Sequence, residues 1–344
     1  MKHALILKIA MSLIGLSLLA GSAEAKPEYA AKEGKPCSYC HVNPAGGGPR
    51  NARGIYYAMH DHSFAGYDEA RVMGQPHFTS AWKITVPSGT RRIAIADVVG
   101  DKQLRLLALG EDNTLTINRV TRDGLQKEAL IDLGADAAHF AVGRFAKDRP
   151  ALIAVPGAIF YKEGDKYTRK DTPGLKAIDG SARFVNNTES LLVFENGSPK
   201  TWTLDLSAAD PLVPGKPLVN PQDSAGVLRN EILHASPEKL TTLGIPEPAA
   251  KSGVVGGFDP REDGRFYLFA PVVEANGTYL EIVNKDALSG GDPSPVWKSD
   301  RIDGKALDVA IGRDPRDGKQ TGLFVLQATG DGGKDRVITF YALD

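Results

Sequence analysis

Short apolar runs separated by polar turns dominate the chain after Trp82. One pattern recurs there: an apolar strand, a turn of small or acidic residues, a further aspartate, and a second, strongly apolar strand. Clear copies begin at Ile95, Val142, Val255 and Ile311, and a weaker copy joins Arg183–Phe184 to Leu191–Phe194. A unit of several strands that returns every ~40–55 residues is typical of the blades of a β-propeller.

The pattern therefore predicts a mainly β fold, with a β-propeller over residues 81–344. Dividing this length by ~40–50 residues per blade gives five to seven blades, and we favour six or seven. A pair of β-sandwiches is the alternative architecture. The stretch from about residue 221 to 250 is less strand-like, and Val227–His234 within it is interpreted as a helical insertion.

The first 25 residues have a different pattern. A basic start at Lys2 is followed by an apolar run and by Ala23-Glu24-Ala25, whose small residues suit a cleavage site. This order is typical of a secretory signal peptide, so residues 1–25 are expected to be removed and the protein to be exported, periplasmic in a cell with two membranes. A retained membrane anchor is the alternative, but the run is short for a span and Lys8 interrupts it.

Charge and composition narrow the function further. The chain has 41 basic and 42 acidic residues, which argues against nucleic acid as a partner. No other stretch is apolar enough to span a membrane after signal cleavage. Only two cysteines are present, too few for a disulfide-stapled scaffold.

Both cysteines fall in one motif, Cys37-Ser38-Tyr39-Cys40-His41, which is the C-x-x-C-H signal for c-type haem. The two thiols add to the haem vinyl groups, and the neighbouring imidazole reaches the iron from the same turn. A redox disulfide would need a thioredoxin-like unit, which the sequence lacks. A zinc site would need further ligands, commonly a second cysteine pair. We therefore expect one covalent haem c, with His41 as an iron ligand.

A short helix is expected soon after the motif, because Asn51 is a good N-cap for a helix from about Ala52 to His60. Ile55, Tyr56 and Met59 would form its haem-facing stripe. With the signal peptide removed, residues 26–80 make a small haem segment ahead of the β region.

The sixth iron ligand is sought at the end of this helix. The sequence Met59-His60-Asp61-His62 places two histidines and a methionine within four residues of a histidine-poor chain. We favour His60, with His62 and then Met59 as alternatives. Met73, His77 and an open sixth position remain as further possibilities. Bis-histidine ligation would give a low reduction potential, and a methionine ligand would raise it.

Residues 36–51 resemble the attachment loop of monohaem c-type cytochromes on exported bacterial proteins, which implies an electron-transfer role. The β region resembles the FG-GAP and VCBS-type repeat propellers, where aspartate-rich turns bind calcium. The turns here hold isolated acids, so calcium is not expected. Haem-containing nitrite reductases and quinohaemoproteins also join a cytochrome to a propeller. Both have eight blades, too many for this length, so neither activity is expected.

Together these features predict a periplasmic c-type cytochrome that transfers electrons through one haem. The propeller would be the docking platform for a redox partner protein. The alternatives are a haem-dependent enzyme and a haem-bearing sensor or binding module that uses the propeller pocket.

Overall fold

The computed structural model describes residues 27–41, 43, 45, 50–68, 74–134, 137–144, 149–179, 183–184, 190–195, 198–209, 211–214, 231–259, 266–284 and 294–344. The signal-peptide prediction and Met73 lie outside these ranges. The chain divides into two compact units after Gly74. The division precedes the expected boundary at residue 80, because the first strand of the β unit already begins at Phe78.

The N-terminal unit is built from short helices. Helix α1 spans Pro27–Glu33, a 3-10 turn spans Cys37–Tyr39, and helix α2 spans Ala52–Met59. The side chain of Asn51 caps α2 by accepting a hydrogen bond from the amide of Gly54 at 3.1 Å. The predicted helix and its cap are confirmed. None of the helices in the described ranges is long and apolar enough to cross a membrane.

The second unit is mainly β, as predicted, and its described residues form five antiparallel sheets. Sheet 1 holds β2 Thr90–Ala96, β3 Arg105–Gly110, β4 Thr114–Val120 and β5 Leu125–Asp132. Sheet 2 holds β6 Ala141–Gly143, β7 Leu152–Val155, β8 Gly157–Glu163 and β9 Lys166–Thr172. Sheet 3 holds β10 Arg183–Phe184, β11 Ser190–Glu195, β12 Ser198–Leu204 and β13 Leu212–Pro214.

Sheet 4 has five strands, and two short helices lie between its first and second strands. It holds β14 Glu231–His234, β15 Val254–Phe258, β16 Tyr267–Glu274, β17 Gly277–Asn284 and β18 Pro295–Lys298. Helices α3 Pro237–Thr242 and α4 Glu247–Ala250 lie between β14 and β15. Sheet 5 holds β19 Lys305–Arg313, β20 Thr321–Thr329, β21 Asp335–Leu343 and, beside β21, the early strand β1 Phe78–Val86.

The five sheets are linked in a cycle through their first strands. Strand β2 contacts β19 on one side and β6 on the other, β6 contacts β10, and β14 contacts β19. The amide of His234 donates to the carbonyl of Asp179, just before β10, at 2.5 Å. The pairing of β1 with β21 completes sheet 5. This topology fits a β-propeller closed by its earliest strand.

The apolar core lies between successive sheets. Leu107 and Leu115 of sheet 1 belong to one buried cluster with Ile153 and Phe160 of sheet 2. Similar clusters join sheets 2 and 3, sheets 4 and 5, and sheets 5 and 1. Sheets 1, 2 and 5 each take part in two of these clusters and therefore pack through both of their faces.

The number of blades expected from the sequence, six or seven, is wrong for the described residues. Each copy of the sequence pattern, including the weak one at Arg183, marks one sheet, and the copies number five. The first strands begin at residues 90, 141, 183, 231 and 305, so the intervals are 51, 42, 48 and 74 residues. The long last interval, which contains α3 and α4, is why division by a uniform blade length gave too many blades.

The predicted helical insertion Val227–His234 is also corrected in its described part, since residues 227–230 lie outside the described ranges. Residues Glu231–His234 form strand β14, which pairs with β15 and buries Ile232 and Leu233. Two adjacent apolar residues suit a strand that is covered on both faces. The helices come later, and Ser236 caps the first of them.

The recurring aspartates of the pattern stabilise turns. The Asp97 carboxylate accepts hydrogen bonds from the amides of Gly100 at 2.6 Å and Lys102 at 3.0 Å. Asp314 accepts from the amide of Arg316 at 2.9 Å and from the indole of Trp82 at 3.0 Å. A short acceptor side chain that satisfies turn amides explains why aspartate recurs at these positions.

A buried arginine in sheet 1 gives a testable dependence of stability on pH. Arg105 donates to Asp101 at 2.7 Å and to Glu128 at 2.7 Å. The hydrogen bond from Arg105 lowers the pKa of Asp101. The stabilisation is therefore present above the pKa of Asp101 in the unfolded chain and is lost as the pH falls through its lowered folded value.

Replacing Asp101 by Asn should remove this contribution, about 1 kcal/mol after screening at the partly exposed carboxylate. Urea midpoints at neutral pH and near pH 3 measure it, with the exposed Asp123→Asn as the matched control. We expect Asp101→Asn to lose less stability on acidification than the wild type. An unchanged acid dependence would contradict a role for the Arg105 pair.

Candidate haem-attachment site

A cleft in the N-terminal unit brings both cysteines of the motif together with His41. It encloses about 760 Å³, part of it open to solvent. Its walls come from α1, the 3-10 turn, α2 and the segment after α2. The lining residues are Tyr29, Ala30, Glu33, Lys35, Pro36, Cys37, Cys40, His41, Arg50, Gly54, Tyr57, Ala58, His62 and Phe64.

The motif itself forms a tight turn. The amides of Cys40 and His41 both donate to the carbonyl of Cys37, at 3.2 and 3.0 Å. Both thiols are free and partly exposed, so they are accessible for covalent attachment. Nδ1 of His41 is buried and has no hydrogen-bond partner among the described residues. Buried polar atoms are rarely left unsatisfied in a folded protein, so this ring is suited to a ligand.

Helix α2 packs directly on this turn. The amide of Asn51 donates to the carbonyl of Cys40 at 3.0 Å, and its side-chain amide donates to the carbonyl of Tyr39 at 3.0 Å. A Cβ atom added at Gly54 would lie 2.0 Å from the Cys40 carbonyl oxygen. Only glycine lets the helix approach the motif this closely.

The face of α2 that lines the cleft is formed by Gly54, Tyr57 and Ala58, which are spaced as neighbours on one helix face. The expected stripe included Tyr56, which is buried but does not line the cleft. Its ring stacks on that of His60 instead, with centroids 3.8 Å apart. The side chains of Ile55 and Met59, the rest of the expected stripe, lie outside the described part of the structure.

The two histidines after α2 have different surroundings. Nδ1 of His60, the favoured sixth ligand, donates to the carbonyl of Tyr56 at 2.8 Å, and this ring does not line the cleft. His62 does line it, beside Cys37, Cys40 and His41. His77 belongs to the β unit and pairs through Nδ1 with Asp344 at 2.6 Å.

The backbone turns sharply to bring His62 to the cleft. Asp61 and His62 are both left-handed, with φ of 50° and 55°. Such a conformation costs about 1–2 kcal/mol for a residue with a side chain. It is held by the hydrogen bond from the His62 amide to the Tyr57 carbonyl at 2.9 Å and by Lys32, which donates to the His62 carbonyl at 2.7 Å.

Aromatic rings surround His62 inside the unit. Its imidazole stacks on Tyr29 with centroids 4.5 Å apart and meets the edge of Tyr57 at 5.5 Å. Phe64 packs on Tyr57 at 4.7 Å. Tyr29, Tyr57 and Phe64 were not among the residues predicted from the sequence. The density of aromatic residues between positions 29 and 67 was the signal that could have identified them.

Burial also sets the electrostatics of the cleft. Burial and the hydrogen bond to Glu33 raise the pKa of Tyr57 to about 12, so its hydroxyl remains protonated and donates to that carboxylate at 3.2 Å. Burial raises the pKa of the Cys40 thiol, and the charge of Arg50 opposes this effect. The Cys40 thiol is therefore held in its neutral form beside the aromatic rings of the cleft.

These residues fit a covalently attached haem. Two thiols at the required spacing, a buried imidazole nitrogen without a partner, a second imidazole and flat aromatic walls are all present in one cleft. Among the described residues, no group of three or more histidine, cysteine, aspartate or glutamate side chains is arranged to hold a metal ion by itself.

Comparisons with known proteins give little to add to this geometry. No protein-family profile matches the chain, and no curated protein matches it. Among solved structures, it is similar to BBS1N in complex with ARL6DN, soaked with lead, at a TM-score of 0.37 and 10% identity, covering 78% of this chain and 97% of that one. The mercury-soaked form of that complex gives a TM-score of 0.35 and 11% identity, with the same coverage. Similarity at this level does not place the chain in a family.

Proposed function

We propose that this protein is an exported c-type cytochrome that transfers electrons through one haem attached at Cys37 and Cys40. His41 and His62 would be the two protein ligands of its iron. The observation that carries the proposal is the position of His62, whose imidazole lines the same cleft as all three motif residues.

The haem would supply a one-electron ferric–ferrous couple. The chain's own residues explain why electron transfer is the favoured activity. Two thioethers would hold the group to a small unit, and His41 and His62 would both ligate its iron, so no coordination site would remain for a substrate. The rings of Tyr29, Tyr57 and Phe64 give the cleft apolar walls, which would limit solvent reorganisation when the charge changes.

His62 is preferred to the sequence-favoured His60 for two reasons. The ring of His60 stacks on Tyr56 and does not line the cleft. His62 is held in the cleft by a backbone conformation that costs free energy, and strain of this kind is commonly kept at functional positions.

In this proposal the β unit is the surface on which a redox partner protein docks. Support comes from its architecture, since sheets closed in a cycle present a rigid outer surface of loops and edge strands. A haem-dependent enzyme or a sensor would instead need an accessible axial position, and the experiment below separates these functions.

Replacing His62 by Ala should convert a low-spin, six-coordinate spectrum into a five-coordinate one that binds carbon monoxide rapidly. The wild-type protein should bind carbon monoxide slowly or not at all, because His62 must first dissociate. The matched variant His60→Ala should keep the wild-type spectrum. Visible spectra of the reduced holoproteins, with and without carbon monoxide, make the comparison.

Two outcomes would contradict the proposal in different ways. If His60→Ala changes the spectrum and His62→Ala does not, the ligand assignment is wrong and electron transfer stands. If the wild-type protein itself binds carbon monoxide rapidly, the axial position is open, and the enzyme or sensor function replaces electron transfer.

A further inference from the structure

A second polar cluster lies in the β unit, where the first strands of the sheets meet. It is formed by Arg92 of β2, His139 before β6, His234 of β14 and Asp308 of β19. Four different sheets therefore contribute one side chain each. The imidazoles of His139 and His234 are 5.0 Å apart between centroids.

Asp308 and His234 form the buried part of the cluster. Asp308 is fully buried, its Oδ1 lies 2.6 Å from Nε2 of His234, and its Oδ2 accepts from the amide of Ile93 at 2.8 Å. The carboxylate is engaged through both oxygens, so Nε2 of His234 is the donor. Nδ1 of His234 is buried without a hydrogen-bond partner in the described part of the chain.

Arg92 and His139 form the other part of the cluster, and His139 is the member that lines a cavity. Nε of Arg92 donates to Nδ1 of His139 at 3.2 Å, and Nη1 donates to the carbonyl of Arg91 at 2.9 Å and of Leu307 at 3.4 Å. Because Nδ1 of His139 accepts, the neutral ring carries its proton on Nε2. Burial, His234 and Arg92 together lower the pKa of His139 to about 3, so the ring is neutral.

The charge of the guanidinium is not balanced locally. Within the described residues, Arg92 forms no ion pair, and Asp308, the acid of the cluster, is already engaged by His234. Arg91 adds a second guanidinium, and its Nε is buried and unpartnered among the described residues. Three hydrogen bonds from Nε and Nη1 hold Arg92 in place, and none of the three uses Nη2.

His139 also lines a cavity of about 470 Å³ that is open to solvent. Lys176 and Asp179 are the other charged residues of its wall. The volume lies within the range of about 300–1,000 Å³ that is common for small-molecule sites. Access for a small ligand is therefore available from this side.

We propose that Arg92 and His139 form a binding site for a small oxyanion at the centre of the β unit. Nη2 of Arg92 and the Nε2–H of His139 are the two donors, and His234 with Asp308 positions the neighbouring ring. A preorganised guanidinium beside an N–H donor is suited to two oxygens of one anion. Carboxylates and inorganic oxyanions share this chemistry, and the test distinguishes them.

Titration of the mature holoprotein with sodium acetate and with inorganic phosphate, at constant ionic strength set by chloride, tests the site by calorimetry. We expect saturable binding that Arg92→Gln weakens by about ten- to a hundredfold, since a charged hydrogen bond is lost. Arg122→Gln, an exposed arginine in the β4–β5 turn, should bind like the wild type. His139→Gln is a second variant that leaves Arg92 intact.

Binding of acetate alone would assign an organic carboxylate, and binding of phosphate alone would assign an inorganic oxyanion. Absence of saturable binding of both probes would overturn the proposal, as would equal affinities of Arg92→Gln, His139→Gln and the wild type. Circular dichroism of each variant establishes that it is folded. None of these results depends on the state of the haem, so the two proposals fail separately.

Discussion

A protein with both Cys37 and Cys40 replaced by serine is expected to be exported without a covalently bound haem. Serine keeps the size and the local turn, but its oxygen does not form the thioether bonds that the two thiols provide. The cleft would then have to retain the group through His41, His62 and aromatic contacts alone. Intact mass of the purified mature protein measures the loss of one haem mass.

Single variants sharpen this expectation. Cys37→Ser and Cys40→Ser should each retain at most one bond to the group and give a lower yield of holoprotein. The matched control is Ser38→Ala, because Ser38 is exposed within the same turn and only its carbonyl is used, by Asn51. A wild-type mass without a haem increment would refute the haem proposal entirely.

The second large effect concerns the sheet that closes the β unit. Replacing Phe340 by Ala should lower the free energy of unfolding by about 3–5 kcal/mol, the usual cost of truncating a buried phenylalanine. Phe340 is fully buried in β21, where its ring lies 4.6 Å from that of Phe324 and 5.3 Å from that of Trp82. These three rings come from three neighbouring strands of sheet 5.

Leu130→Ala is the control, because Leu130 is 56% exposed on β5 and loses little on truncation. Urea unfolding followed by near-ultraviolet circular dichroism reports on the aromatic packing of the β unit. A midpoint for Phe340→Ala equal to that of Leu130→Ala would show that closure of sheet 5 contributes little to stability.

The repeats were predictable from the sequence because their signal is local. Each copy joins an apolar strand, an aspartate turn and a second apolar strand, and the structure uses the aspartate of that turn as a hydrogen-bond acceptor, as at Asp97. The number of sheets was not predictable in the same way. Helices α3 and α4 lengthen one repeat without changing its first strands, and a mean repeat length hides such an insertion.

The candidate haem site was likewise predictable only where its signal is local in the sequence. The spacing of Cys37, Cys40 and His41 and the cap at Asn51 are read directly from neighbouring residues. The choice between His60 and His62 depends on two left-handed residues after α2, and only the folded chain determines which ring such a turn brings to the cleft. The Arg92–His139 cluster was not predictable for a stronger reason, since its members come from three strands and one loop that are far apart in the sequence.

The pairing of β1 with β21 also constrains how the chain folds. Phe78 and Leu343 are partners although they are separated by 265 positions in the sequence. Bringing together the ends of so long a loop costs about 5 kcal/mol of chain entropy, and nothing is gained from the pairing until both strands are present. Residues 37–41 are close in sequence and need no such encounter. The proposed covalent attachment at the N-terminal unit would therefore be able to precede completion of the β unit during maturation, so a chain would acquire the proposed haem before its largest part has a stable structure.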